Sequence, residues 1–345
     1  MKKSLITVLL LILATFAFAS SVFADPASDP WLTVMPQPGH AKPNGKTVVL
    51  ISGDEEYRSE ESMPQLARIL ALEHGFKCYV LFAIDPADGT ICPNINTNIP
   101  GLEHLQNADL LIMLIRWRNL PDDQMKYIVD YAESGRPMIG LRTSTHAFNL
   151  KGSAYQKYSW DNKNPDYEGG FGRQIFGETW IAHHGAHGKE GTRGIIASEA
   201  TKHPILKGIE PGSIFVKTDV YQVRLPMPKY CYTLLFGEVT ESLDETAKAV
   251  YGPKNNPMMP LAWTNSYHTS SGADSRVFAT TMGSAQDLLC VGFRRLLINA
   301  VYWTTGQERR ISRNLPIDIQ GKYDPSSFEF RATEKWKPGK HPAQM

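Results

Sequence analysis

Thr47-Val48-Val49-Leu50-Ile51-Ser52-Gly53 is a short, mostly apolar run closed by glycine. A strand without polar alternation is buried on both faces, as the central strands of parallel sheets are. Downstream, Leu66, Ile69, Leu70 and Leu72 recur at helical spacing up to His74-Gly75, where the glycine supplies a stop. Phe76–Phe82 reads as the next strand. The alternation then repeats: Leu102–Ala108 as a short helix, Leu110–Ile115 as a strand, Pro121–Ser134 as a helix with Asp122 and Asp123 at its positive end, and Pro137–Leu141 as a fourth strand. This spacing predicts an α/β fold on a three-layer, doubly wound, mostly parallel sheet. Such sheets bind ligands outside the carboxyl ends of their strands.

That rule selects three loops. After the first strand come Asp54, Glu55, Glu56, Tyr57 and Arg58, where carboxylates accept from sugar hydroxyls and a guanidinium donates in a fixed fork. The plainer reading is a helix start with acids near the dipole. After the third strand come Arg116, Trp117 and Arg118, in which an indole can stack on a sugar face and arginine can bind an oxyanion; a core tryptophan beside solvated arginines is the alternative. After the fourth come Gly140-Leu141-Arg142-Thr143-Ser144-Thr145-His146. This turn lacks cysteine and does not spell G-x-S-x-G, so Ser144 is a nucleophile only if a histidine comes within reach, whereas His146 is a candidate acid or base.

From Lys151 to Gly191 regular patterning lapses, and loops this long within a compact domain are usually functional. The densest cluster is Glu178-Thr179-Trp180-Ile181-Ala182-His183-His184-Gly185-Ala186-His187. His183, His184 and His187 can converge on one metal, zinc being the natural choice, act as acid and base without one, or serve only structure. H-H-x-x-H is not the helical H-E-x-x-H zinc motif, and the glycines argue against a rigid helix here. Strand-like runs resume at Gly194–Ala197, Ile214–Thr218, Tyr232–Gly237, Pro260–Thr264 and Val277–Thr281, before a helix over Asp287–Thr305.

The chain starts Met1-Lys2-Lys3, followed by an apolar run from Leu5 to Ala19 and small residues ending at Ala24. This is the pattern of a secretory signal peptide over residues 1–24, too short to span a bilayer, and it predicts a periplasmic or secreted protein with no stable membrane span after cleavage. Residues 25–45 read as a linker, 46–310 as the domain, and 311–345 as an extended tail. The whole chain has 36 basic and 35 acidic residues, and removal of Lys2 and Lys3 leaves 34 against 35. Without a clustered basic face, nucleic acid is not an expected partner. Cys78, Cys92, Cys231 and Cys290 match no zinc spacing; export permits disulfides, but apolar surroundings favour buried free thiols.

Taken together, several stretches resemble the trehalose-utilisation, ThuA-like family, whose fold is similar to class I glutamine amidotransferases and flavodoxin-like sheets. They are Gly53–Arg58, Gly140–His146, His203-Pro204-Ile205 with Thr218-Asp219-Val220-Tyr221, Pro260-Leu261-Ala262-Trp263, and Arg276-Val277-Phe278 through Gly283 into Phe293–Trp303. The resemblance covers about residues 46–310 and implies a sugar-related substrate. The chain departs from the amidotransferase pattern: Thr143-Ser144-Thr145 stands where a cysteine nucleophile would, and Gly283-Ser284 where a histidine would. Glutaminase chemistry is therefore not expected. The expectation is carbohydrate processing of a saccharide or oxidised sugar by acid–base chemistry, with His146, His183, His184, His187 and Glu55 reacting. Asp54, Tyr57, Arg58, Arg116, Trp117, Arg142 and Trp180 would bind the small-molecule or saccharide ligand. A noncatalytic carbohydrate-binding protein and a zinc-dependent hydrolase are the alternatives.

Overall fold

The computed structural model describes residues 29–345. The signal-peptide reading lies outside them. A ten-stranded sheet runs through the molecule. Its centre is parallel and includes β2 (Thr47–Gly53), β3 (Lys77–Phe82), β4 (Leu110–Ile115) and β5 (Met138–Leu141), in the order β3-β2-β4-β5. The parallel set ends on β12 (Asp274–Thr280), which pairs with β5. Beyond it the sheet turns antiparallel through β11 (Met259–His268), β10 (Cys231–Val239), β7 (Thr192–Ile196) and β8 (Phe215–Val216).

The apolar reading of β2 holds because alternate side chains enter two cores. Val48 and Leu50 join one with Leu66, Ile69 and Leu70 of α1 (Ser59–His74) and Leu296 and Leu297 of α4 (Val291–Thr304). Val49 and Ile51 join the other with Met125 and Ile128 of α2 (Asp122–Glu133) and Phe171 and Ile175 of α3 (Gly170–Ile175). Burying each such side chain contributes roughly 1.5–3 kcal/mol. Gly75 ends α1 at φ 76°, and a Cβ there would lie 2.0 Å from the Lys42 carbonyl oxygen. Among the described residues, no helix is long and apolar enough to cross a membrane, and all four cysteines are free thiols, with Cys78 and Cys92 buried.

Three segments differ from the sequence expectation. Inside the stretch read as a linker, β1 (Trp31–Val34) pairs antiparallel with β3 and forms a sheet edge. The helix expected over Asp287–Thr305 is divided at Cys290, whose extended backbone separates a short turn, Ala285–Leu289, from α4. Asp287 fixes the start of that turn: its Oδ2 accepts from Gly283 N, Ser284 N and Thr218 Oγ1 in a capping box with Ser284. The tail also doubles back across the first loop. Glu329 N donates to Glu56 O, Phe328 packs on Tyr57, and Trp336 lies over the Arg58 guanidinium at 4.3 Å.

Candidate functional site

The parallel strands β2, β4 and β5 deliver their following loops to one edge. Among the described residues, Arg58, Trp117 and Arg142 are the non-glycine residues with left-handed backbone, at φ 61°, 45° and 40°. Each sits in one of these loops. Such conformations cost free energy and persist where surrounding structure holds them, frequently at functional sites.

The first two loops neutralise one another. Glu55 Oε1 accepts from Arg116 Nε and Nη2, and its Oε2 accepts from Arg118 Nη2 at 2.8 Å. Arg116 Nη1 also reaches Glu56 Oε2 at 3.0 Å. Asp54 is fully buried and turns Oδ1 back to the amides of Glu56 and Tyr57, and burial together with the Glu55 charge raises its pKa. Arg58 points away, held by Glu60 and Trp336. Ser144 Oγ donates to Met113 O at 2.8 Å, a packing role below the turn.

The histidines converge on a residue the sequence reading left out of the site, Asp219. A two-stranded ribbon, β6 (Ala182–His183) with β9 (Tyr221–Gln222), pairs His183 with Tyr221 and brings this loop beside Asp219. His183 Nδ1 donates to Asp219 Oδ2 at 2.7 Å, and His187 Nδ1 to Asp219 Oδ1 at 2.9 Å. Arg142 Nη2 donates to the same Oδ1 at 3.0 Å and to the Tyr57 hydroxyl. The other nitrogen of His187, Nε2, meets Glu56 Oε1 at 2.9 Å. Gly185 permits this approach, since its Cβ position is already 3.0 Å from Asp219 Cβ. One ligand atom each from His183, His187 and Asp219 lie within 4.8 Å of one another.

Electrostatics follow from these partners. Burial pushes the Asp219 carboxyl up, but the Arg142 charge and the two imidazole hydrogen bonds outweigh it and hold the carboxyl well below its ordinary range. Glu56 is lowered in the same way, burial being overcome by His187 and Arg116. Hydrogen bonds to Asp219 and then Glu56 push His187 up to about 9. His146 is held well below the ordinary histidine value by burial and by the charges of Arg116 and Arg142, so it is neutral.

Beside the cluster stands an aromatic wall. Trp117, Trp160 and Trp180 are half-buried, with ring centroids 5.8–6.0 Å apart, and His146 packs on Trp117 and Trp180 at 5.4 and 5.1 Å. Trp180 lies 6.0 Å from His183. The Nε1 atoms of Trp117 and Trp180 are buried and find no hydrogen-bond partner among the described residues. A hollow of about 1080 Å³ lined by Phe215, Lys217, Leu289 and Val291 lies elsewhere and contains no member of the cluster.

Of the residues expected at the site, the structure thus brings together His146, His183, His187, Tyr57, Arg142, Trp117 and Trp180. Arg116 joins them through Glu56. His184 faces away, its Nε2 on the Lys254 carbonyl at 2.8 Å, as alternation along the ribbon requires. Missed were Asp219, Glu56 as a partner of His187, Tyr221 and Trp160. Asp219 and Tyr221 lie in the Thr218-Asp219-Val220-Tyr221 stretch that carries part of the family resemblance, which was the available signal.

Comparisons with known proteins add the following. No protein-family model and no curated protein matches the chain. Solved structures similar to it include a ThuA-like protein from Bacteroides uniformis, with 15% identity and a TM-score of 0.48, covering 77% of this chain and 93% of that one. Another is from Parabacteroides merdae, with 15% identity and a TM-score of 0.49, covering 84% and 98%. The chain resembles ThuA-like proteins. Function is read from the side chains of this chain and not from that likeness.

Proposed function

We propose that the chain is an exported, periplasmic or secreted, carbohydrate-processing enzyme, acting on a saccharide or an oxidised sugar derivative at the carboxyl edge of a three-layer, doubly wound, amidotransferase-like sheet. The observation that carries this reading is the wall of Trp117, Trp160 and Trp180 standing directly against the His183–Asp219–His187 cluster. Indole faces stack on the apolar face of a sugar ring, and the rings of Trp117, Trp160 and Trp180 are each half-buried rather than sealed in the core.

In this reading Asp219 orients His183 through Nδ1. The other nitrogen, Nε2, has no hydrogen-bond partner among the described residues and is available to the substrate. Neutral His146 offers another imidazole at the tryptophan wall. Glutaminase chemistry finds no support: there is no cysteine at the turn, and Ser144 is tied to Met113.

A noncatalytic carbohydrate-binding protein is the second reading. It is favoured by the saturation of Glu55 and His187, each held by partners at both of its polar atoms. A screen of residues 25–345 against saccharides and their keto derivatives, scoring turnover and binding together, separates the two. Turnover lost in His183→Gln with binding retained supports the enzyme. Binding without turnover supports the binder, and neither binding nor turnover sinks both.

A further inference from the structure

We infer that His183, His187 and Asp219 form a binding site for one divalent transition-metal ion of the zinc type. The inference deepens the functional reading above, because the ion would lie at the same cluster, and it replaces His184 of the sequence expectation with Asp219.

The two imidazoles come from a single loop, and both turn Nδ1, the ring atom nearer the backbone, toward the two oxygens of one carboxylate. Their contacts, 2.7 and 2.9 Å, are close to the spacing of neighbouring ligand atoms around one ion, which is roughly 3–3.4 Å when each bond is about 2.1 Å. A few tenths of an ångström of opening would admit the ion. Two imidazole nitrogens and a carboxylate are a donor set for zinc-type cations rather than for calcium or magnesium, which favour oxygen.

The outer partners supply an independent observation. An imidazole that ligates through one nitrogen commonly donates the other N–H to a carboxylate, which fixes the ring and raises its basicity. His187 has that arrangement, with Nδ1 toward Asp219 and Nε2 on Glu56 Oε1 at 2.9 Å. Asp219 is buried, and Arg142 fixes it through Oδ1 at 3.0 Å. Glu56 is fixed in turn by Arg116. Glu56 and Arg142 thereby each orient a ligand, His187 and Asp219 respectively. The three protein ligands leave coordination positions for a substrate oxygen, which the ion would polarise beside the tryptophan wall.

The test uses residues 25–345 with any affinity tag removed and metal stripped by a chelator. Zn²⁺ is titrated calorimetrically, and Co²⁺ is followed by its visible absorption. The expected result is one ion per chain, with Co²⁺ bands of a low-symmetry site containing nitrogen ligands. His183→Gln and His187→Gln should lose at least about 100-fold in affinity, Glu56→Gln about 10–100-fold, and His184→Gln nothing. His183 is part-exposed, so its variant remains informative if substitution at buried Glu56 impairs folding, which circular dichroism reports. Absence of a stoichiometric ion, or an affinity that ignores His183 and follows His184, overturns the metal site. Saccharide turnover without an ion overturns the metal site alone. A stoichiometric ion without any saccharide binding or turnover overturns the functional reading alone.

Discussion

The loops at the edge of the large sheet and the two-stranded ribbon beside them satisfy their charges in opposite ways. At the sheet edge, the loops after β2 and β4 close on themselves, with Glu55 between Arg116 and Arg118. The separate ribbon of β6 and β9 sends His183 and His187 across to Asp219 and Glu56 and leaves one nitrogen of His183 without a partner among the described residues. Neutralised charge makes a support. Converging groups with an open atom make a site, and in this molecule the support stands beneath the site.

The comparison breaks most severely at Arg142, which joins the two regions by donating to Asp219 and Tyr57. Arg142→Met leaves a buried carboxylate beside fewer cations and should destabilise the chain by about 3–5 kcal/mol in urea unfolding. A loss below about 1 kcal/mol would show that the histidines alone suffice for Asp219.

A histidine held without carboxylates provides the next contrast. His74 is buried between the Tyr302 hydroxyl and the Pro316 carbonyl, and burial lowers its pKa to about 4. The unfolded chain therefore takes up this proton first. The stability is complete above the unfolded value near 6.5 and declines as pH falls toward 4, reaching a loss of about 2 kcal/mol at pH 5. Unfolding of wild type and His74→Phe across that range checks the sign: the wild type should lose more stability than the variant as pH falls, and equal losses refute the assignment.

Smaller effects sharpen the picture. Trp180→Ala should weaken saccharide binding about tenfold while leaving the fold in place, because the ring is half-buried and its loss removes one stacking face. Unchanged affinity would remove the wall from the site. The smallest effect belongs to His184→Ala, expected to leave binding and turnover unchanged, since its ring is turned to Lys254. A loss of turnover there would restore the reading in which all three histidines act.

The same contrast explains what could be read from the sequence. Among the parallel strands, burial of β2 and β4 on both faces writes itself as continuous apolar runs, and Gly75 marks a turn no side chain fits, so the elements from β2 to β5 are legible, while edge strand β1 is not. The site loops after those strands follow from topology alone. Asp219 was not legible, because its role depends on an antiparallel ribbon only two residues long on each side, which has no periodicity to detect. The tail was read as extended because its contacts with Tyr57, Arg58 and Glu56 span more than 250 positions of sequence. The sequence pointed to the histidine loop by composition, and the pairing of β6 with β9 decided which of its histidines face inward.

The most direct test of the account compares turnover by wild type, His183→Gln and His184→Gln of residues 25–345 on the saccharides and keto derivatives identified in the screen. The account expects His183→Gln to lose about 100-fold or more in kcat, with His184→Gln equal to wild type. Equal turnover in His183→Gln and wild type, or a loss confined to His184→Gln, would contradict it.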